Sequence, residues 1–290
     1  MIISFASGKG GTGKTTIATN FGLLLAREMN QKIQFLDCDV EEPNAGIFLK
    51  PKITETTSIG IPIPVIDIDQ CTYCRKCAEI CAYNAIAVLK KDVLVFSELC
   101  HGCGGCMLVC PEQAISETNR EIGIVEKGKA DTIEFIQGRL NVGEPSASPL
   151  IRQVKEASHL KNHHLTIIDV PPGTSCPVIE AVKGSDFTVL VTEPTPFGLN
   201  DLVLAVKTLQ KLNIPFGVVI NRDGIGDKGV EDYCKKENIP VLMRMPMDKE
   251  IAIAYSKGIP MLQFNSKYKM KFQKLYQKIF ETIDKKKRDG

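Results

Sequence analysis

The chain has 290 residues, 43% of them hydrophobic, with 36 basic and 34 acidic side chains and a formal charge of +2. That length supports one large core or two domains, and so small a net charge excludes a global polyanion partner such as nucleic acid. No apolar run approaches the ~20 residues a bilayer span needs, and residues 1–5 enter a strand with no cleavable signal pattern, so a cytoplasmic protein is expected.

Residues 2–7 form a short apolar run suited to a buried parallel strand, and SGKGGTGKTT (7–16) follows without a break. Ile17, Phe21, Leu24 and Leu25 then recur at helical spacing from 15 to about 30. Strand, glycine loop and helix in that order make a phosphate-binding loop. Gly8, Gly10, Gly11 and Gly13 let backbone amides curl around the phosphates of ATP or ADP, with Thr12 and Thr16 completing the binding positions. Lys14 is placed to contact the β and γ phosphates, and the hydroxyl of Thr15 to ligate Mg2+. Lys9 is one lysine more than the motif needs.

KIQFLDCD (32–39) is a second apolar strand, ending in two carboxylates. Either Asp37 or Asp39 points at the ligand crevice; Asp39, nearer the strand end, is the preferred group beside an attacking water. Beyond it the core pattern is interrupted. Pro62 and Pro64 open a stretch in which CTYCRKCAEIC (71–81) is matched by CHGCGGCMLVC (100–110), every cysteine repeating at an offset of 29. Eight of the eleven cysteines lie here, which reads as thiolate ligands in a reducing compartment and not as disulfides. A C-x2-C-x2-C triplet wraps three corners of a 4Fe-4S cube, and the fourth cysteine reaches the other cube, so the expected sets are crossed. Cys71, Cys74, Cys77 and Cys110 take one cluster; Cys100, Cys103, Cys106 and Cys81 take the second. Zinc is the alternative, but its ligands usually come as two separated pairs. Segments 121–125 and 132–136 alternate as a hairpin, and 138–150 is punctuated by glycine and proline as a connection.

LTIIDV (165–170) is a further strand, ending in Asp169, which suits a water-bridged partner of the magnesium. Strands at 187–192, 216–221 and 241–245 alternate with helical patterns at 198–212 and 228–237. This repeated winding predicts an α/β fold with a doubly wound, mostly parallel sheet. Of the remaining thiols, Cys38 and Cys234 read as inert, while Cys176 lies just past the Asp169 strand end. The segment from 267 to 290 has nine basic and three acidic residues around an apolar stripe that includes Phe272, Leu275 and Ile279.

KGGTGKTT with its early lysine, the LDCD strand end and IIDVPPGT resemble the deviant Walker A ATPases of the MinD, ParA and Mrp group, P-loop NTPases of the SIMIBI type, to which the nitrogenase iron protein is also related. The resemblance implies an ATPase domain over 1–61 and 118–290, with 62–117 as an inserted α+β domain like the two-cluster bacterial ferredoxins. It implies a homodimer, at least with nucleotide bound, in which Lys9 crosses to the partner's phosphates and supplies a second cation as an arginine finger does. It also implies that Asn221 and Arg222, after the strand GVVIN, sit at the adenine; a strand-end asparagine that caps the next turn is the other reading. Membrane contact through the basic final helix has a counterpart in MinD proteins, though a helix packed on the sheet accounts for the same stripe and is favoured. Three functions share these motifs: an ATP-gated electron carrier acting on a redox protein partner, an Mrp-like carrier of iron-sulfur clusters, and a positioning ATPase whose clusters sense redox state. Clusters held by four cysteines are hard to surrender, which favours electron transfer.

Overall fold

The computed structural model describes residues 1–158 and 165–289. In chain order the first half contains β1 (Ile2–Ala6), α1 (Lys14–Leu23), β2 (Ile33–Asp37), α2 (Ala45–Leu49), β3 (Lys52–Ile66), α3 (Lys76–Ile80), β4 (Ile86–Val88), β5 (Val93–Val95), α4 (Gly105–Leu108), β6 (Ile115–Ala130) and β7 (Ile133–Leu140). The second contains α5 (Ser148–Glu156), β8 (Leu165–Asp169), α6 (Cys176–Val182), β9 (Phe187–Thr192), α7 (Pro196–Lys211), β10 (Phe216–Asp223), α8 (Gly229–Lys236), β11 (Val241–Pro246), α9 (Lys249–Ser256), α10 (Met261–Phe264) and α11 (Lys267–Asp289).

Nine of these strands form one sheet in the order β11-β10-β9-β1-β8-β2-β7-β6-β3. From β11 to β7 every neighbouring pair is parallel. The central strands are apolar without interruption because both faces are covered, and side chains alternate between two cores. Ile3, Phe5, Phe35, Ile167 and Val189 pack with α1 and α11; Ala6, Leu36, Ile168 and Leu190 pack with α5, α6, α7 and α8. The doubly wound sheet expected from the repeated pattern is therefore present. The first helix is shorter than its periodicity suggested, passing at Leu24 into a π-helical turn that runs to Glu28.

The sheet's other edge departs from expectation. β6 pairs antiparallel with β7 and β3 antiparallel with β6, so the short hairpin expected at 121–136 is the base of a ribbon that runs to Ile66 and Ile115. β3 leaves no strand signal in the sequence because most of its residues are exposed and KITETTSIG carries no apolar alternation. Pro62 and Pro64 lie inside β3, which accepts them as the outermost strand, where a missing N–H breaks no ladder. Positions 62 and 117 are thus both mid-ribbon. Gly123 lies opposite Leu140, the end of β7, so residues 115–122 overshoot the carboxyl ends of the parallel strands by ~27 Å at ~3.4 Å per residue.

The overshooting tip repeats itself. Ile66 pairs with Ile115, Val65 with Ser116 and Pro64 with Glu117; shifted by 29, these become Val95 with Ile86, Leu94 with Ala87 and Val93 with Val88, the complete register of the β4 and β5 pair. Asp67 N–H donates to Ala114 C=O, and its mate Phe96 N–H donates to Ala85 C=O. Left-handed backbone recurs as well, at Tyr73 and Gly102, Arg75 and Gly104, Asn84 and Gln113, each pair 29 apart.

α11 lays its stripe on the sheet. Tyr268, Phe272, Leu275 and Ile279 are fully buried and belong to the core around α1, so the apolar residues a membrane would need are covered. Phe272→Ala should accordingly destabilise the chain by about 3–5 kcal/mol, read as a lower urea midpoint at unchanged slope.

Candidate functional site

The loop from Ser7 to Gly13 turns between β1 and α1 at the carboxyl end of the sheet, where strand ends in parallel folds meet ligands. Gly13 has φ +87°, and a Cβ there would lie 2.3 Å from Nδ2 of Asn221. Glycine is therefore required both by the left-handed turn and by the approach of β10. The Asn221 amide donates to the Thr12 carbonyl at 2.8 Å, tying the loop to β10. Gly173 N–H, past the end of β8, donates to Ser7 C=O at 2.9 Å. The hydroxyl of Thr12 is buried inside the loop with no partner among the described residues, which fits a ligand oxygen.

Three carboxylates gather around one lysine. Lys14 Nζ lies 2.7 Å from Asp169 Oδ1 and 3.3 Å from Asp39 Oδ2, and Thr15 Oγ1 donates to Asp169 Oδ2 at 2.6 Å. Burial draws the lysine's pKa down, but the charges of Asp169, Asp39 and Asp37 outweigh it and leave Lys14 above its ordinary range. Asp37 is fully buried, and its oxygens accept from Asp39 N–H at 3.1 Å and Ala45 N–H at 3.0 Å. It anchors the turn after β2, whereas Asp39 faces the lysine. Burial pushes Asp37 well above the usual carboxylate range. Burial also pushes Asp39 up, to about 6, despite the pull of Lys14. The carboxylate oxygens of Asp169 and Asp39 beside the Thr15 hydroxyl make a donor set suited to a hard divalent cation beside phosphates.

Lys9 does not point away from its own chain. Its ammonium pairs with Glu193 Oε1, and Arg222 Nη1 donates to Glu193 Oε2 at 2.9 Å. Burial raises Glu193, but the two cations hold it below the ordinary range. Glu193 was not singled out in the sequence, although it follows β9 directly and so obeys the strand-end rule that flags Asp39 and Asp169. Arg222 takes φ +53° inside β10, where the pairing with β11 shifts register between Ile220 and Asp223. Asp248, after β11, caps α9 and accepts from the Tyr268 hydroxyl and Lys267.

At the ribbon tip the eight cysteines are free thiols sorted into two cavities. Cys71, Cys74, Cys77 and Cys110 line one; Cys81, Cys100, Cys103 and Cys106 line the other. Each set mixes three cysteines of one repeat with the last of the other. Backbone N–H groups already address sulfur, Tyr73 to Cys71 and Gly102 to Cys100 at 3.4 Å, Ala85 to Cys81 at 3.3 Å. Among the described residues no three His, Cys, Asp or Glu side chains are grouped to share one metal ion; the thiols surround volumes instead of closing on a point. His101 stacks on Tyr83 at 3.6 Å beside the second cavity. Cys38 and Cys234 are buried, and Cys176 is exposed at the start of α6.

Known proteins resemble this chain along most of its length. The family model described as the CobQ/CobB/MinD/ParA nucleotide binding domain matches residues 3–261. An uncharacterized protein of Methanocaldococcus jannaschii is 32% identical over 91% of this chain and 93% of its own. The iron-sulfur cluster carrier protein of the same organism is 24% identical over 98% of this chain and 86% of its own. Among solved structures, the septum site-determining protein MinD of Pyrococcus horikoshii, complexed with Mg-ADP, has a similar fold: TM-score 0.60 and 19% identity, covering 96% of this chain and 95% of that one.

The carboxylate cluster makes a pH prediction. Folding raises Asp39 from 3.8 to about 6, so the folded chain holds more protons between these values, and stability falls as pH rises through that window. In metal- and nucleotide-free protein, Asp39→Asn should add about 1–2 kcal/mol at pH 7.5, with the gain vanishing below pH ~4. Urea titrations at several pH values measure this, and hydrolysis by the same variant should be slower.

Proposed function

The chain belongs to the CobQ/CobB/MinD/ParA nucleotide-binding family, and on that premise we propose that it is an ATPase whose closure as a homodimer gates electron transfer through two 4Fe-4S clusters to a redox protein. One observation carries the reading: two cysteine-lined cavities, related by a register-preserving twofold, stand on a ribbon that is continuous with the nucleotide-binding sheet. Seen this way, residues 62–117 are a ferredoxin-like insert, and 1–61 with 118–290 are the ATPase domain.

With nucleotide bound, Lys14 would leave Asp169 for the β and γ phosphates, and the Thr15 hydroxyl oxygen would be one of the groups that hold magnesium. Asp169, relieved of both, would help hold the magnesium, which would neutralise phosphate charge when bound, while Asp39 would orient the attacking water. Asn221 keeps the loop shaped around the phosphate chain, with Arg222 beside it near the base. Lys9 exchanges Glu193 for the partner protomer's phosphates, so its charge reaches the transition state only when two copies meet. Each cube supplies one-electron redox chemistry when bound, and the four thiolates around it hold it in place.

A second reading, delivery of clusters to other proteins, draws on the relative named as an iron-sulfur cluster carrier protein. Saturation by four cysteines speaks for retention. Rapid transfer of cluster iron from this chain to an apo-ferredoxin reverses that preference.

Chain purified without oxygen should contain roughly eight irons and eight sulfides; a colourless protein full of zinc refutes the cluster assignment. Lys9→Ala should leave ATP affinity within about twofold while slowing hydrolysis by roughly a hundredfold or more. Loss of affinity instead would show that the lysine serves its own subunit.

A further inference from the structure

The repeat at the ribbon tip does not extend to one ion pair beside it. Arg120, on β6 just beyond the duplicated register, forms a forked ion pair with Glu144, Nη1 to Oε1 at 2.5 Å and Nη2 to Oε2 at 2.8 Å. The two side chains are only 18% and 10% exposed, and Arg120 Nε is buried with no partner among the described residues. A shift of 29 places Lys91 at the mate of Arg120, in the exposed turn between β4 and β5, and the two cations that line the first cysteine cavity, Arg75 and Lys76, are exposed as well, so only the second cavity has a half-buried, carboxylate-paired cation at its side. A buried charge acts far more strongly than an exposed one.

Arg120 sits on the side of the second cavity. Its cross-strand partner is Ile61, and the loop carrying Cys100 and Cys103 rests there: a Cβ on Gly102 would come within 3.1 Å of Ile61 Cβ and 3.0 Å of the Pro62 carbonyl. Glu98 and Cys100 are among the charges the guanidinium feels, after Glu144 itself.

Glu144 in turn hangs from the nucleotide pocket. Its N–H donates to Asn141 C=O at 3.3 Å, Asn141 N–H donates to Ile122 C=O at 2.9 Å, and Leu140 N–H donates to Val40 C=O at 2.9 Å. Val40 is the residue after Asp39. A backbone change at Asp39 therefore meets, within one short segment, the carboxylate that neutralises Arg120.

We propose that the ion pair of Arg120 and Glu144 sets the reduction potential of the second cluster and is the element through which the nucleotide pocket acts on it. The inference rests on the cluster reading above. Reduction adds one electron to a cube and makes its thiolate-bound unit more negative. A nearby guanidinium favours that reduced form, and a carboxylate paired to the guanidinium offsets the effect.

The test is an EPR-monitored dithionite titration of the full chain carrying both clusters, once with Mg-ADP and once with Mg and a non-hydrolysable ATP analogue. In the wild type one of two midpoint potentials should move between nucleotides. Arg120→Gln should make reduction of that cluster about tenfold less favourable, ~59 mV lower for one electron, and Glu144→Gln should move it the opposite way. Arg120→Lys should bring it back toward the wild-type value, and both glutamine variants should lose the nucleotide-dependent part. Potentials indifferent to both glutamine substitutions, equal shifts of both clusters, or a nucleotide shift that survives Glu144→Gln each overturn the proposal. Iron and sulfide counts separate the failures: a wild-type chain without clusters overturns the proposed function and this inference together, whereas a chain with about eight irons and unmoved potentials overturns this inference alone.

Discussion

Lys14 held between Asp169 and Asp39 is the contact on which the arrangement of this chain depends. Three parallel strand ends, β1, β2 and β8, converge there only because the sheet places β8 between the other two. The cost is electrostatic. Burying three carboxylates beside one ammonium leaves Asp37 and Asp39 above their ordinary range, an arrangement that folding tolerates and a divalent cation relieves. The same acidic groups hold the P-loop lysine by its ammonium, so on the proposed reading a nucleotide that draws Lys14 away would free Asp169 and Asp39 to change partners. The segment after β2, from Asp39 to Val40, is where such a change would reach the backbone.

The sheet also decides how far such a change can travel. β7 is parallel to β2 and antiparallel to β6, so the ribbon is joined to the nucleotide strands by continuous hydrogen-bonded ladders with no flexible linker in between. Gly138 shows how tight the junction is, since a Cβ there would lie 2.6 Å from Val40 Cγ1 and 2.8 Å from Val154 Cγ2. α5, which carries Val154, sends Lys155 Nζ onto the carbonyls of Glu180, Ala181 and Lys183 at the end of α6. α6 follows the loop past Asp169. Two routes thus run from the pocket to the ribbon base, one along Val40 and one through α5, and close-packed interiors transmit displacement because they have no slack to absorb it.

Much of this was legible in the sequence, for identifiable reasons. Buried parallel strands such as IISFA and FTVLVT are apolar on both faces and need no context to be read. The phosphate loop and the repeated cysteines are fixed by backbone and bond geometry, so spacing alone reveals them. β3 was not legible because an exposed edge strand has no buried face to leave an apolar pattern. Glu193 and the pair of Arg120 and Glu144 were hidden for another reason. Their significance comes from partners 184 and 24 residues away, and charged side chains near turns are ordinarily solvated. Asp37 and Asp39 show the limit within a single motif: alternation puts both on one face, and only the hydrogen bonds of the following turn separate an anchor from a site residue.

The direction of the ribbon gives the proposed dimer a further consequence. It leaves the sheet at the carboxyl ends of the strands, the same end that carries the phosphate loop, and continues ~27 Å past them. Laterally it is displaced from β1 by four strand positions, ~19 Å at ~4.8 Å each. Two copies meeting face to face over their phosphate loops would each extend a ribbon along the flank of the other. In that arrangement the cysteine cavities would lie beside the partner copy only while the dimer is closed, so closure would govern where an electron can go, while the ion pair at Arg120 would govern how readily one of the two clusters takes it.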